Sequence, residues 1–143
     1  MSSSATATSI LKNLVLPGIG HFTILDPTIA SPADAGNNFF LNANESIGKP
    51  RAGEAVPLLR ELNDSVEGEA VLRDINELLD DDQGRSQITS FSLVIAHNLE
   101  INALNKLSDL LWSDILNPPL IIVRSAGFLA EFFIQFHEQC GRP

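Results

Sequence analysis

Hydrophobic residues recur at helical spacing near both ends of the chain. In residues 6–16 and 101–114 the apolar side chains fall three or four positions apart, so each segment presents one apolar face. A third segment, 50–62, repeats the pattern, and Pro50 suits the first turn of a helix. Pro57 conflicts with it, because proline should kink a helix or delay its start. The pattern predicts three helices.

Short apolar runs between these segments predict strands. The clearest are residues 21–25, 91–96 and 119–123, whose sequences are HFTIL, FSLVIA and PLIIV. Nearly continuous apolar runs of this length are typical of parallel strands that are buried on both faces. Residues 66–72 alternate well enough for a further strand. Residues 128–136 fit a strand better than a helix, because glycine precedes them and aromatic residues crowd them.

Two segments have no clean periodicity. Residues 27–47 hold two prolines and four asparagines, which indicates a long loop. Residues 75–86 indicate a short helical turn followed by an acidic loop, with Asp80–Asp82 in solvent. Loops as long as 27–47 are usually either functional or disordered, and Phe39-Phe40-Leu41 makes this one too apolar for simple disorder.

The alternation of helices and strands defines the expected fold class. It implies an α/β protein with right-handed β-α-β crossovers and a mostly parallel, doubly wound sheet. Residues 10–26 read as a helix that runs into a strand ending at Asp26, which is the second half of a Rossmann-like nucleotide-binding unit. The first strand and the glycine-rich loop of such a unit are missing, because only a short polar segment precedes the helix. We expect one partial domain over 1–143.

Composition narrows the possible partners and locations. The net charge of −9 argues against nucleic acid and against anionic membrane surfaces. The amino-terminal segment lacks the apolar core of a signal peptide, and no apolar run is long enough to span a membrane. A single cysteine, Cys140, excludes an internal disulfide. We expect an intracellular protein that is cytoplasmic or nuclear.

Few residues indicate chemistry. Asp26 stands where doubly wound folds place the carboxylate that binds ribose hydroxyls, but it lacks the glycine loop that would hold the phosphates. The simpler interpretation is that Asp26 caps the following turn. Cys140, with His137 nearby, could be a nucleophile, although a place close to the chain end argues against it. His21 and His97 lack a second ligand at metal spacing, so no metal site is expected.

Five segments, in order, resemble one family, and they extend over almost the whole chain. Three are strong and two are weaker: ATATSILKNLVLPGIGHFTILD, DAGNNFFL and SIGKPRA, then LVIAHNLEINALNKLSDLLW and PPLIIVRSAGF. They resemble the ubiquitin-like-protein-activating enzymes of the ThiF/MoeB family, and most closely the regulatory, catalytically inactive subunit of the heterodimeric neddylation-activating enzyme. The resemblance corresponds to an early part of a much longer subunit, so we expect a chain truncated at both ends.

The resemblance also implies a decayed nucleotide site. Asp26 matches the ribose-binding aspartate of active members. Asn37 stands where they carry a phosphate-reaching arginine, and Arg51 stands in place of their lysine. Around Asn98 the chain has no acid where active members have an aspartate linked to nucleotide or metal. The resemblance therefore implies that Asp26, Asn37 and Arg51 are vestigial and that this chain binds no cofactor.

From the resemblance we expect a non-catalytic scaffold. Its partner would be the catalytic subunit, which uses ATP and magnesium to adenylate a ubiquitin-like protein; this chain would meet that modifier only indirectly. The family likeness places Asn38, Phe39, Phe40 and Leu41 near the contact between subunits, although Phe39 and Phe40 could instead fill the chain's own core.

Two other functions and one expectation about stability stay open. The chain could be a stand-alone adenylating enzyme supported by Asp26 and Arg51, or the relic of a Rossmann-type dehydrogenase. The strand expected before residue 5 would lie between the strands at 21–25 and 91–96, so its loss would uncover two strand edges. We therefore expect marginal stability and a tendency to self-associate.

Overall fold

The computed structural model describes residues 4–137, which divide after Asp74 into two units. One lies within Met1–Asp74 and the other within Ile75–Pro143. Each unit has its own sheet. The units are described separately below, and the expectation of one domain over 1–143 stays a prediction.

The first unit contains a β-α-β crossover. Its helices are α1 (Ala5–Val15), α2 (Pro32–Asn37) and α3 (Arg51–Arg60), and its strands are β1 (His21–Leu25) and β2 (Glu67–Val71). The two strands are parallel, in register from His21 opposite Glu67 to Leu25 opposite Val71. The helix α3 connects them and packs on both strands and on α1. The helices predicted at 6–16 and 50–62 and the strands predicted at 21–25 and 66–72 are confirmed.

The core of this unit joins both strands to the apolar faces of α1 and α3. The periodic residues of α1 and α3 that were predicted to share a face are largely buried in it, because burial is what their spacing encodes. The buried members are Leu11, Val15, Phe22, Ile24, Phe40, Ala52, Ala55, Val56, Leu59 and Val66.

The prediction of a loop throughout 27–47 is wrong, because α2 lies inside it. Ser31 caps this helix by accepting a hydrogen bond from the backbone N–H of Asp34, while the Asp34 carboxylate accepts one from the Ser31 N–H. Pro32 occupies the first turn, where its missing N–H is harmless. The motif Ser-x-x-Asp, with proline after the cap, is the local signal for this helix.

Proline has less effect on α3 than the sequence suggested. Pro50 immediately precedes the helix, and Pro57 lies inside it without delaying its start. Pro57 has no N–H to donate to the carbonyl of Gly53, four positions earlier, so one backbone hydrogen bond is lost. The other backbone hydrogen bonds of α3 hold the segment helical.

The second unit also contains a parallel crossover. Its helices are α4 (Ile75–Asp80), α5 (Asp82–Thr89) and α6 (Ile101–Trp112), and its strands are β3 (Val94–His97), β4 (Leu120–Ala126) and β5 (Leu129–Gln135). The strand β3 pairs parallel with β4, and β4 pairs antiparallel with β5. The φ of +58° at Gly127 suits the tight turn between β4 and β5, and this hairpin confirms the strand predicted near 128–136.

Two boundaries in this unit differ from the predictions. The prediction of an acidic loop after the first helical turn is wrong, because α5 occupies residues 82–89. Asp81 caps this helix by accepting a hydrogen bond from the Gly84 N–H. Asp80 pairs with Lys106, and Asp82 pairs with Arg85. The strand predicted from 91 begins at 94, where its pairing with β4 begins.

These elements confirm the expected α/β class. Both crossovers join parallel strands through a helix, and among the strands β1–β5 of residues 4–137 only β4 and β5 pair antiparallel. In the same part of the chain, no helix has the length and apolar character that crossing a membrane requires.

Candidate functional site

The aspartate at the end of β1 is held by an arginine at the start of α3. Asp26 is only 3% exposed, and its Oδ2 accepts hydrogen bonds from Nε of Arg51 at 3.2 Å and from Nη2 at 2.8 Å. The other carboxylate oxygen, Oδ1, accepts from the backbone N–H of Thr28 at 2.9 Å. The last bond confirms that Asp26 caps the following turn, and the structure brings it together with Arg51 as well.

A second carboxylate completes this cluster. Nη1 of Arg51 lies 2.7 Å from Oδ1 of Asp34, so the guanidinium bridges the end of β1 and the first turn of α2. Sequence reasoning missed Asp34. The capping motif around it could have indicated α2, but its contact with Arg51, 17 residues away, has no local signal.

The pKa values of Asp34 and Arg51 are both shifted. Hydrogen bonds from the side chain and backbone of Ser31 lower the pKa of Asp34, and Arg51 adds to that effect, while partial burial opposes it. For Arg51, burial would lower the pKa, but the hydrogen bonds and charges of Asp26 and Asp34 outweigh burial and raise it. Asp34 and Arg51 are therefore both charged throughout the neutral range.

The hydrogen bonds of Asp26 bear on the position where a nucleotide's ribose would bind. A ribose-binding carboxylate accepts hydrogen bonds from ribose hydroxyls, and here each oxygen of Asp26 accepts at least one hydrogen bond from within the unit. A ribose would have to displace Arg51 from a site that is almost fully buried. The arrangement instead fixes β1, α2 and α3 relative to one another.

Asn37, the third position expected to be vestigial, and Asn98, where the resemblance found no acid, each have partners within their own unit. Asn37 is exposed at the end of α2, and its amide donates to the carbonyl of Ala33. Asn98, which follows β3 in the second unit, has a left-handed φ of +46°. Its side chain exchanges two hydrogen bonds with the backbone of Ser125 in β4, so it extends the pairing of those strands.

The four residues expected at the subunit contact have different environments. Asn38, Phe40 and Leu41 are buried, and Phe40 belongs to the core of the first unit. The Asn38 Oδ1 accepts from the backbone N–H of Phe40 and lies 2.9 Å from the hydroxyl of Thr8. Only Phe39 turns outward, at 90% exposure, with its ring edge-on to that of Phe40. Core filling therefore describes Phe40 and not Phe39, and the contact assignment stays a prediction.

Two of the three histidines lie beside hydroxyl groups. His97 is buried, with Nε2 2.9 Å from the Ser125 hydroxyl, and His21 lies at 3.1 Å from the Thr23 hydroxyl. The ring of His137 stacks on Trp112. Within residues 4–137, no three potential metal ligands lie together. Cys140 lies outside the described residues.

Comparison with known proteins identifies related sequences. The chain is 46% identical over 129 residues to the NEDD8-activating enzyme E1 regulatory subunit of Xenopus laevis, which covers 90% of this chain and 23% of the relative. It is 41% identical over 137 residues to the regulatory subunit of Drosophila melanogaster, and this match covers 96% of this chain and 25% of the relative. The Arabidopsis thaliana regulatory subunit AXR1 is 35% identical over 127 residues, a match that covers 89% of this chain and 23% of AXR1.

The chain is a homologue of the NEDD8-activating enzyme E1 regulatory subunits. This confirms the resemblance that the sequence motifs suggested, and these relatives are named as subunits of an activating enzyme. The chain spans about a quarter of the length of the relatives it matches. A search of protein-family profiles finds no match.

The structural comparison supports the fold of this regulatory-subunit homologue. The crystal structure of PaaA superposes with a TM-score of 0.68 at 14% sequence identity, covering 85% of this chain and 38% of PaaA. At that identity the likeness concerns the fold alone, and it agrees with a Rossmann-like α/β arrangement.

Proposed function

We propose that this chain is a non-catalytic scaffold within the regulatory half of a NEDD8-activating enzyme. In this proposal it supports ATP-dependent adenylation of a ubiquitin-like protein by a separate catalytic subunit, which binds the ATP and magnesium. The chain itself binds no cofactor, and it acts in the cytoplasm or nucleus. The homology to regulatory subunits supports the general role.

The observation that carries the non-catalytic assignment is the pairing of Asp26 with Arg51. The two acceptor oxygens of Asp26 are occupied by Arg51 and the Thr28 N–H, and Arg51 is shared with Asp34. In this proposal the guanidinium of Arg51 takes the place at Asp26 that a ribose would take. This favours a structural role for the site over the alternative of a stand-alone adenylating enzyme.

The contact with the catalytic subunit is proposed to centre on Phe39. Its neighbours Asn38 and Phe40 are buried and hydrogen-bonded or packed, which holds the backbone that presents the exposed ring. An exposed aromatic side chain on a rigid support loses little conformational entropy when it enters a pocket. Phe39 therefore has the features of an interface anchor.

The test is capture of the catalytic subunit by this chain. We expect Phe39→Ala to weaken capture by about tenfold or more, which corresponds to about 1.4 kcal/mol. Leu116→Ala is the matched control, because Leu116 is a similarly exposed apolar residue in the second unit, at 85% exposure. It should leave capture unchanged.

Circular dichroism would establish that both variants keep the fold of the parent chain. If the folded parent chain fails to capture the catalytic subunit, the proposed scaffold role is wrong. If capture is retained and Phe39→Ala behaves like the control, the role stands and the contact lies elsewhere.

A further inference from the structure

A buried threonine interrupts the apolar face of α1. Thr8 is fully buried, and it precedes Leu11 and Val15, two members of the core of the first unit, at helical spacing. A polar side chain in such a place needs a hydrogen-bond partner. A partner outside its own helix is Asn38, because Thr8 Oγ1 lies 2.9 Å from Asn38 Oδ1. This contact joins α1 to the segment that carries Phe39.

Asn38 begins a four-residue turn, which we call the 38–41 turn. The carbonyl of Asn38 accepts a hydrogen bond from the N–H of Leu41 at 3.1 Å, which places Phe39 and Phe40 at the two central positions. The side-chain oxygen of Asn38, Oδ1, accepts another from the N–H of Phe40 at 3.0 Å. Asn38 therefore closes the turn twice, once with its backbone and once with its side chain.

The single proton of the Thr8 hydroxyl is best placed on Asn38. Three oxygens lie within hydrogen-bonding distance of Thr8 Oγ1, namely Asn38 Oδ1 at 2.9 Å and the carbonyls of Ser4 and Ala5 at 3.0 and 3.1 Å. The Ser4 carbonyl already accepts the backbone N–H of Thr8. Asn38 Oδ1 is the nearest of the three, and an amide oxygen can accept two hydrogen bonds. The hydroxyl and the Phe40 N–H therefore share the oxygen that closes the turn.

Hydrophobic burial alone does not choose between the two aromatic residues of the turn. Phe39 and Phe40 are adjacent and chemically identical, and the hydrophobic effect is non-directional, so either ring would gain the same free energy from the same core position. Yet Phe40 is 3% exposed and Phe39 is 90% exposed. The backbone conformation of the turn makes this choice, because it sets which side chain points to the core. The hydrogen bonds of Asn38 Oδ1 therefore bear on which ring is buried.

We propose that Thr8 is a positioning residue for the Phe39 contact. Acting through Asn38, its hydroxyl holds the 38–41 turn in the conformation that keeps Phe40 in the core and directs Phe39 away from it. The Phe39 ring then lies edge-on to that of Phe40, with centroids 5.5 Å apart and an interplanar angle of 84°. This inference rests on the proposed contact between Phe39 and the catalytic subunit, and it assigns the control of that contact to a buried residue of α1.

The first experiment observes the turn in the full chain without a partner. A fluorinated phenylalanine replaces Phe39 alone or Phe40 alone, and its fluorine resonance is compared in light and heavy water, because an exposed fluorine shows the larger solvent shift. In the parent chain the label should be exposed at Phe39 and buried at Phe40. Thr8→Val removes the hydroxyl at nearly constant volume, and it should give each label a further resonance of the opposite exposure. Thr8→Ser keeps the hydroxyl and should give the parental spectrum.

The second experiment measures capture of the catalytic subunit at a temperature at which all variants are folded. Thr8→Val should weaken capture about two- to tenfold, which is the factor that one neutral hydrogen bond supplies, and Thr8→Ser should restore it. In a Phe39→Ala background Thr8→Val should have no further effect, because residues that act on one contact are not additive. The control is Thr89→Val, which removes a hydroxyl that bonds carbonyls of its own helix α5. It should leave capture unchanged.

A purely structural role for Thr8 predicts different results. Thr8→Val would lower the stability of the chain, but both fluorine labels would keep their parental exposure, and capture would weaken equally with and without Phe39. Either observation would overturn the inference. If Phe39→Ala weakens capture and Thr8→Val does not, only the role of Thr8 is wrong. If Phe39→Ala leaves capture unchanged, the proposed contact is wrong and the role of Thr8 is wrong with it.

Discussion

The guanidinium of Arg51 donates two hydrogen bonds to one carboxylate oxygen of Asp26, from Nε at 3.2 Å and from Nη2 at 2.8 Å. Asp26 directly follows β1 and Arg51 begins α3, so this pair joins the end of a strand to the start of the helix that crosses over to β2. Its position explains why a site that resembles a ribose site contributes to the architecture of the unit.

Removing Arg51 should destabilise the first unit strongly. Arg51→Ala leaves the buried Asp26 carboxylate without its cation, and breaking one side of a buried pair costs about 3–5 kcal/mol. The free energy of unfolding, measured in urea, should fall by that amount. The double variant Asp26→Asn/Arg51→Met should recover most of the loss, because no charge is then buried. A double variant as unstable as Arg51→Ala would contradict this account.

The Asp34 carboxylate should make stability depend on pH in the acid range. Its pKa in the folded chain is below the ordinary value of 3.8. A lowered pKa contributes stability that is fully present above the ordinary value and is lost as the pH falls through the folded value. Asp34→Asn should therefore be less stable than the parent at pH 6, by about 1–2 kcal/mol. The difference should shrink below pH 4 and stay constant above pH 5; a constant difference across the range would contradict this.

Glycine at position 68 should be required by packing. A Cβ there would lie 2.4 Å from the Phe22 ring, which is buried across the strand pair. Gly68→Ala should lower the free energy of unfolding by about 1–3 kcal/mol. Gly36→Ala is the matched control, because a Cβ at that position in α2 would meet nothing within 4 Å. It should be neutral or slightly stabilising, since alanine favours a helix.

The chain alone should not bind ATP measurably. Titration calorimetry with magnesium and ATP should show no dissociation constant tighter than about 1 mM, which corresponds to about −4 kcal/mol. Submillimolar binding that Asp26→Asn abolishes and the exposed-site control Asp82→Asn retains would favour the stand-alone adenylating enzyme. Retained binding of a nicotinamide dinucleotide would favour the dehydrogenase relic.

Local pattern was sufficient to predict most of the elements. Each helix and strand has its own periodicity, which can be read from neighbouring residues. This is why apolar spacing predicted α1, α3 and α6, and why short apolar runs predicted β1, β3 and β4. The α2 helix was missed even though its capping signal, Ser31 to Asp34, is local. The motifs indicated a likeness to E1 regulatory subunits, and comparison with known proteins confirmed that likeness.

Periodicity and motifs are properties of neighbouring residues, so the chain alone indicates its α/β class, the places of most helices and strands, and its resemblance to E1 regulatory subunits. The tertiary structure was needed to show that Arg51 meets Asp26, 25 residues away, and that Asp34 joins them. It also decided that Phe40 enters the core while the adjacent Phe39 faces solvent. Spacing specifies which side chains share a face, but what lies opposite that face depends on how separate elements pack.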